Sequence, residues 1–252
     1  MCGRYATTRS EVDLAALFEA DDGLDGGAAS ARTPLVPDYN VAPTDPVPIV
    51  RTVPGGTARS LAVARWGLLP HWARDPRAAA RMINARAETV AASRAFGPSF
   101  AQRRCLIPAD GWYEWVKDGA GRRQPYYMTP LDGSVLAFAG LWTTWGSGDQ
   151  RRLTSSIVTM PALGDLALVH SRMPLALPPG RWAQWLGGDP DPAALLAPPP
   201  DEYLAGLEIR PVGVAVGDVH NDGPSLLTRV DAPPLASGST RGSVPSEGLT
   251  LF

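Results

Sequence analysis

Short apolar segments bounded by turn residues constrain the fold of this chain more than any other feature of its sequence. Residues 60–66 alternate apolar and polar side chains, which is the pattern of a strand with one buried face. Segments rich in aromatic and β-branched residues follow at 104–116, 124–130, 134–142 and 155–162, and their composition is typical of strands. The sequence therefore predicts a β-rich core.

Helical signals are fewer and lie between these segments. Ser10 is a candidate N-cap, and Leu14, Leu17 and Phe18 follow it at helical spacing, so we expect a helix over residues 10–20. Further helical signals occur at residues 75–90, 164–170 and 178–188. Combined with the predicted strands, these helices indicate an α+β fold class.

Prolines and small polar residues mark two further parts of the chain. Residues 39–50 look extended but contain several prolines, which predicts an edge strand or an irregular wall. After about residue 230 the sequence is small, polar and rich in proline, with too little apolar content to pack. We therefore expect a single domain over residues 1–230 and a flexible tail over residues 231–252.

Composition excludes several classes of protein. The formal net charge is −2, so any contact with nucleic acid requires a local basic cluster. The 2 cysteines form no CxxC pair, and with 3 histidines they are too few for a structural zinc site or a disulfide framework. We therefore expect no metal and no cofactor. No apolar run approaches the roughly 20 residues of a membrane helix, and no signal peptide is recognisable, which predicts a soluble, cytoplasmic protein.

Cys2 is the candidate nucleophile. Removal of Met1 would leave it with a free α-amine beside its thiol, with reference pKa values of about 7.7 to 8.0 and about 8.5. Lys117 is the single lysine of the chain, and a lysine amine, at about 10.4, is far less available. An aldehyde meeting the amine and thiol of Cys2 can form an imine and then a thiazolidine ring. Taken alone, Cys2 could equally be an ordinary residue near the start of the chain.

A set of motifs decides between these readings. The set consists of MCGRYA at 1–6, YNVAP at 39–43, RWGLLPHW at 65–72, INARAET at 83–89, CLIPADGWYEW at 105–115 and VHSRMP at 169–174. Together these motifs closely resemble those of the SOS response-associated peptidase family, and the resemblance runs from residue 2 to about residue 224. It implies a curved or barrel-like mixed sheet with a few peripheral helices. It also implies a protein that crosslinks its N-terminal cysteine to abasic sites in single-stranded DNA and so protects the lesion during replication.

The resemblance also implies catalytic partners for Cys2. Asn84 and Arg86 lie two residues apart, so on a strand-like segment both would face one ligand, and the family places them near the abasic sugar and its phosphate. Glu114 lies in an aromatic run whose burial should raise its pKa and let it relay protons. His170, with a reference pKa near 6.5, is expected to assist opening of the sugar ring.

DNA contact at an abasic site needs phosphate-binding and stacking groups more than readout of a base edge. The Trp66 segment could wedge against the flanking bases. The expected DNA-binding residues are Arg4, Asn40, Trp66, Gly67, Leu68, Arg86 and Arg172. We expect a monomer that is associated with the nucleoid when bound to DNA.

Residues Gly248–Phe252 form a second candidate interaction site. The sequence GLTLF resembles the short peptide with which bacterial repair proteins bind the sliding clamp, although Gly248 replaces the usual glutamine. A flexible tail that ends in apolar anchors is suited to tethering.

Other activities remain open for Cys2. One is an N-terminal-nucleophile cysteine amidohydrolase or peptidase, in which the thiolate attacks an amide and the α-amine acts as base. Another is a lyase, in which the α-amine alone forms an imine and cleaves the strand by β-elimination. A third is a non-covalent single-strand binding module that is indifferent to Cys2. Peptidase activity, if present, is expected to concern the residues before Cys2.

Overall fold

The fold is described from a computed structural model, which describes residues 2–21, 35–53, 55–117, 121–187, 191–233 and 235. The strands are β1 (Tyr5–Thr7), β2 (Ala20–Asp21), β3 (Asp38–Val41), β4 (Pro46–Thr52), β5 (Arg59–Trp66), β6 (Asn84–Arg86), β7 (Arg104–Ala109), β8 (Gly111–Lys117), β9 (Arg123–Pro130), β10 (Leu136–Trp145), β11 (Arg152–Pro161), β12 (Arg172–Pro174) and β13 (Leu207–Pro211). The α-helices are α1 (Glu11–Phe18), α2 (Gly97–Gln102), α3 (Leu166–Val169), α4 (Trp182–Gly187), α5 (Pro192–Leu195) and α6 (Asp201–Ala205). Short 3₁₀ segments lie at Pro76–Arg81, Gly148–Gln150, Pro179–Arg181, Val214–Gly217 and Pro224–Leu227.

A closed ring of five strands forms the centre of the molecule. Its strands follow the order β11, β10, β7, β4 and β5, and the neighbours along this path are antiparallel. A parallel pairing of β5 with β11, at Arg65 with Thr154 and Trp66 with Ser155, closes the ring. The barrel is therefore mixed, and the predicted α+β class with a curved or barrel-like sheet is confirmed. The α-helices in the described part of the chain are short and peripheral, also as predicted.

A second sheet brings the start of the chain to the barrel. Its strand order is β13, β9, β8, β1 and β3, and β1 pairs antiparallel with β8 at Tyr5 with Trp112. The Tyr5 ring packs edge-on against Trp66 of the barrel, with 5.1 Å between ring centroids. Phe138 lies 6.2 Å from Tyr5 and 5.9 Å from Trp112 by the same measure. These buried aromatic contacts fix the position of β1, and with it the residues that precede β1.

The predicted helix over residues 10–20 is observed as α1. The Ser10 hydroxyl accepts a hydrogen bond from the Asp13 backbone N–H at 3.1 Å, as expected of an N-cap. The helix ends at Glu19, which adopts a left-handed conformation with φ of 50°. The helical predictions at 164–170 and 178–188 correspond to α3 and to a 3₁₀ turn followed by α4.

The helical prediction over residues 75–90 was wrong for most of its length. The segment forms a 3₁₀ turn and then the strand β6, which pairs in parallel with β11. Asn84 lies opposite Ile157 and Arg86 opposite Thr159. Pairing with a buried strand therefore outweighs the helical propensity of the alanines, because propensity is a weak preference compared with tertiary contacts.

The prolines of β4 lie where the strand has one paired edge. Over its whole length β4 pairs with β5, including Pro46 and Pro48. Its pairing with β7 involves only Val50 and Arg51. The predicted edge strand therefore describes the proline-bearing half of β4, whereas the other half is interior. A proline cannot donate to a second neighbour, and this explains the division.

The predicted tail over residues 231–252 lies mostly outside the described residues, which include only 231–233 and 235 of it. The Pro233 carbonyl accepts a hydrogen bond from the Tyr126 hydroxyl at 3.3 Å. The segment Gly248–Phe252 lies wholly outside the described residues.

Gly67 follows β5 at the closure of the barrel, and its substitution tests this closure. Its φ is +129°, and a Cβ there would lie 2.4 Å from the Ala79 carbonyl oxygen. Gly67→Ala should lower the free energy of unfolding by about 3 kcal/mol or more, because both the backbone and the contact would be strained. Urea denaturation measures the difference.

Gly133→Ala is the matched control. Gly133 also has a positive φ, of +71°, but a Cβ there would meet nothing within 4 Å. We expect a loss of about 1 kcal/mol for this variant. If the two variants lost the same free energy of unfolding, close packing at Gly67 would not be the cause.

Candidate active site

Cys2 is held at the inner end of the second sheet. The Tyr113 backbone N–H donates to the Arg4 carbonyl at 2.9 Å, which continues the β1 and β8 pairing toward the start of the chain. Continuing this antiparallel register places Gly3 beside Glu114. Cys2 is fully buried, with 0% of its surface exposed. Burial raises the pKa of its thiol, and the nearby Glu114 carboxyl raises it further.

Asn84 approaches Cys2 from the other sheet. Its side-chain amide donates a hydrogen bond to the Cys2 carbonyl at 2.7 Å. Within the described residues, Asn84 Oδ1 is buried and has no hydrogen-bond partner. β6 therefore presents to Cys2 an amide oxygen that can accept one further hydrogen bond.

Glu114 is a buried carboxyl group in the middle of β8. The side chain is 5% exposed, and loss of solvation raises its pKa from 4.5 to about 7. A carboxyl group with this pKa can both donate and accept a proton near neutral pH.

His170 lies at the end of α3, in a fixed orientation. Its Nδ1 lies 2.9 Å from the Arg172 backbone N–H and 3.2 Å from the Arg172 carbonyl, so the tautomer of the ring decides which of these two bonds it makes. Burial lowers the pKa of His170.

Arg4 and Asn40 are buried in an internal network, away from solvent. The Arg4 guanidinium donates to Asn40 Oδ1 at 2.6 Å and to the Val216 carbonyl at 2.8 Å. The Asn40 amide donates to the carbonyls of Asp218 and Asn221 at 2.9 and 2.7 Å. This network ties the start of the chain to residues 216–221. Both groups are therefore bonded inside the protein, and the expected DNA contacts at Arg4 and Asn40 stay a prediction.

The Trp66 segment is also part of the interior. Trp66 and Leu68 are both 0% exposed, and the Trp66 indole N–H donates to the Ile83 carbonyl at 2.9 Å. The Gly67 N–H donates to the Ser155 carbonyl at 2.8 Å. A ring with no exposed face cannot stack on a base unless the core opens. The expected wedge at Trp66, Gly67 and Leu68 stays a prediction, and it requires that opening.

The two expected phosphate ligands differ in their surroundings. Asn84 and Arg86 flank the buried Ala85 on β6, so they share a face as expected, and Arg86 is exposed. The Arg172 guanidinium is instead paired with both carboxylate oxygens of Glu88. Arg86 is therefore the more accessible of the two cations.

Trp72 is a candidate that sequence reasoning missed. The ring is 46% exposed, and the Arg94 guanidinium lies 5.1 Å from the ring centroid. Trp72 belongs to the RWGLLPHW motif, in which we had expected Trp66 to be the residue that packs against the flanking bases. Spacing within the motif could not have shown which tryptophan faces solvent. An aromatic ring beside an arginine is a surface suited to stacking.

The described residues contain neither a metal site nor a membrane-spanning helix. No group of 3 or more histidine, cysteine, aspartate or glutamate side chains is arranged there to hold a metal ion. None of the described helices is long and apolar enough to cross a membrane.

Comparison with known proteins agrees with the motif set. The family model described as SOS response associated peptidase (SRAP) matches residues 1–219. The chain belongs to this family.

Individual relatives in the SRAP family match over nearly their whole length. Abasic site processing protein YoqW of Bacillus subtilis is 32% identical over 231 residues, covering 90% of this chain and 99% of the relative. Abasic site processing protein YedK of Escherichia coli is 32% identical over 241 residues, covering 91% and 100%. A crystal structure of a protein from Bacteroides thetaiotaomicron superposes with a TM-score of 0.75 at 23% identity, covering 91% of this chain and 100% of that one. This last likeness supports the fold alone.

Burial of Glu114 makes stability depend on pH. Because its pKa is raised from 4.5 to about 7, the folded state binds this proton more tightly than the unfolded state. The resulting stabilisation is fully present below about pH 4.5 and is lost as pH rises through about 7. The stability difference between wild type and Glu114→Gln should therefore change by roughly 3 kcal/mol between pH 4.5 and 8. Urea denaturation across this range measures it.

The exposed carboxylate variant Glu202→Gln is the control for general effects of charge removal. A stability difference between wild type and Glu114→Gln that is constant with pH would contradict the raised pKa.

Proposed function

We propose that this protein captures abasic sites in single-stranded DNA through a covalent bond to Cys2. One observation carries the proposal: the Asn84 amide bonds the Cys2 carbonyl at 2.7 Å, beside the buried carboxyl of Glu114. The proximity of these groups supports roles for Cys2 as nucleophile, Asn84 as hydrogen-bonding amide and Glu114 as proton relay. The names of the relatives, abasic site processing proteins, support an aldehyde of an abasic sugar as the substrate.

The chemistry proceeds in two bond-forming steps. After removal of Met1, the Cys2 α-amine attacks the C1′ aldehyde of the opened sugar, and loss of one water gives an imine. The Cys2 thiol then adds to the same carbon, and its proton passes to the nitrogen. The product is a five-membered thiazolidine, which lacks an easily hydrolysed imine. The crosslink shields the lesion from strand cleavage during replication.

Three side chains support these steps. Glu114, with a pKa of about 7, delivers the proton that lets water leave and then takes one back. Asn84 uses its unsatisfied Oδ1 to accept a hydrogen bond from a hydroxyl group of the opened sugar. His170, whose pKa is lowered by burial, assists opening of the sugar ring.

We assign the DNA contacts to residues whose side chains are exposed, whether or not the motifs had pointed to them. Exposed Arg86 binds a phosphate beside the lesion, because a guanidinium matches a phosphate bidentately. Trp72, with Arg94 beside it, provides the stacking surface that we had expected of Trp66. Arg4 acts by holding the start of the chain in place.

Loss of the nucleophile is the decisive test. Incubation with a single-stranded oligonucleotide carrying one abasic site should give an adduct that survives denaturing electrophoresis. Mass spectrometry should find Met1 absent and the mass of the DNA added. Cys2→Ala should abolish the thiazolidine adduct, because the thiol is lost. The remaining α-amine should give a short-lived imine and strand cleavage of the lyase type.

Cys105→Ala is the matched control, since Cys105 is a buried cysteine of the barrel strand β7, and its adduct yield should equal that of wild type. Persistence of the stable adduct in Cys2→Ala would contradict the proposal. Release of an acyl product from an amide without DNA, with no adduct, would favour the amidohydrolase. Equal affinity for intact and abasic strands, with no adduct in wild type, would favour a non-covalent binding module.

We also propose that the segment Gly248–Phe252 binds the replication sliding clamp. Its apolar residues Leu249, Leu251 and Phe252 suit a hydrophobic pocket at the end of a tether. Deletion of residues 248–252 should abolish binding to the isolated clamp in an equilibrium assay and leave crosslinking in solution unchanged. Unaltered clamp affinity after the deletion would refute this part of the proposal. In this role the protein is a cytoplasmic monomer that acts at the nucleoid.

A further inference from the structure

The outer edge of β13 is open along most of its length. β13 is the last strand of the second sheet, and in the described part of the chain its one strand neighbour is β9. The Val212 N–H donates to a β9 carbonyl at 3.1 Å, whereas the Pro211 carbonyl, on the other edge, accepts from the Val230 N–H at 3.0 Å. Backbone groups alternate between the two edges of an antiparallel strand. Those of Leu207 and Ile209 therefore face the open edge.

An apolar groove lies beside this edge. It has a volume of about 730 Å³ and is formed by β13, by α6 and by the residues at the start of α3. Its large apolar side chains are Leu163, Leu166, Leu204, Leu207 and Ile209. All of them except Leu166 are only partly buried. Partly exposed apolar side chains beside unpaired backbone groups form a surface to which an extended segment can be added as a further strand.

The chain passes from the open edge of β13 to the face with the groove before it leaves the described residues. The Pro233 carbonyl accepts a hydrogen bond from the Tyr126 hydroxyl at 3.3 Å. Tyr126 lies opposite Pro211 in the pairing of β9 with β13, so its side chain is on the face that carries Ile209. Leu235 packs against the same buried core as Ile209. Because Pro211 is about 7 Å from Ile209 along the strand, the chain arrives near the groove.

The last residues of the chain have a pattern that fits this edge. Leu249 and Leu251 are separated by Thr250, so in an extended segment the two leucines point to one face and the threonine to the other. Leu207 and Ile209 show the same two-residue repeat on β13. A strand added beside them would therefore place both leucines on the groove side.

The intervening chain is long enough for this contact. Leu235 and Leu249 are separated by 13 residues, which span up to roughly 45 Å when extended. The distance from Pro211 to Leu207 along β13 is only about 13 Å. Because the segment and the groove belong to one chain, the segment is held at an effective concentration on the order of 1 mM. A contact too weak to persist between separate molecules is therefore sufficient.

We propose that residues 248–252 add to the open edge of β13 as an extended strand, with Leu249 and Leu251 in the groove. Backbone hydrogen bonds to Leu207 and Ile209 hold the segment, and the apolar groove selects its leucines. While docked, the segment is not available to another partner. The groove therefore competes with the sliding clamp for it, and this consequence, unlike the docking itself, rests on the clamp binding proposed above.

Amide hydrogen exchange in the full-length protein tests the docking without DNA or clamp. The variant is Leu251→Asn, which puts a polar amide where the groove offers only apolar contacts. The Leu207 and Ile209 amides should exchange about tenfold more slowly in wild type than in this variant, because a docked fraction of about nine-tenths protects them. Nuclear magnetic resonance measures the two exchange rates.

Thr250→Asn is the matched control, because it introduces the same side chain on the opposite face of the segment, and its exchange rates should equal those of wild type. Equal rates in wild type and Leu251→Asn would overturn the proposal. Protection that grows with protein concentration would also overturn it, since a second copy of the chain would then occupy the edge.

Clamp binding supplies a second measurement, made from the side of the groove. Ile209→Lys places a charge in the groove and leaves the segment intact. It should raise the affinity for the isolated clamp about tenfold, because the segment is no longer sequestered. Val214→Lys is the matched control, since Val214 is 72% exposed and does not line the groove, and it should leave the affinity unchanged.

The docking and the clamp proposal fail in distinguishable ways. Unchanged clamp affinity in Ile209→Lys would overturn the competition between groove and clamp. If wild type and variants all fail to bind the clamp, the clamp proposal is refuted, while the exchange rates at Leu207 and Ile209 still decide whether the segment docks.

Discussion

The parallel contact between β5 and β11 is the constraint on which the rest of this structure depends. It closes the barrel at Trp66 and Ser155, and it ends where the chain turns at Gly67. Beyond Gly67, β5 no longer pairs with this edge of β11, and β6 pairs with it instead. Asn84 reaches the active site because β5 leaves β11 early enough for β6 to pair there. The pairing along this edge of β11 therefore both closes the barrel and positions the Asn84 side chain.

The buried aromatic rings connect this barrel to the start of the chain. Tyr5 packs between Trp66 and Phe138, so the residues before it have little freedom. The network of Arg4 and Asn40 with the carbonyls of residues 216–221 restrains the same segment from the other side. A short, otherwise unrestrained terminus would lose considerable conformational entropy on positioning its cysteine. Here the fold has already restrained it.

The sequence predicts the fold class more fully than the details of the site. Strand-like segments are recognisable because alternation and aromatic content are local properties, and α1 is recognisable from Ser10 and the apolar spacing behind it. The segment 75–90 was misjudged because its alanines favour a helix, whereas pairing with β11 decides the matter. Among the tryptophans, one motif contains both the fully buried Trp66 and the exposed Trp72. Their motif gives no signal that separates them.

By itself the sequence determined which chemical groups are present: a cysteine at position 2, a single lysine, and a motif set that identifies the family. The tertiary structure alone decided how these groups behave. It buried Glu114 and so raised its pKa to about 7, and it set Glu88 against Arg172 across a strand. The physical reason is that solvation and electrostatic interaction depend on distances in space. Residues far apart in the chain acquire those distances only when the barrel closes.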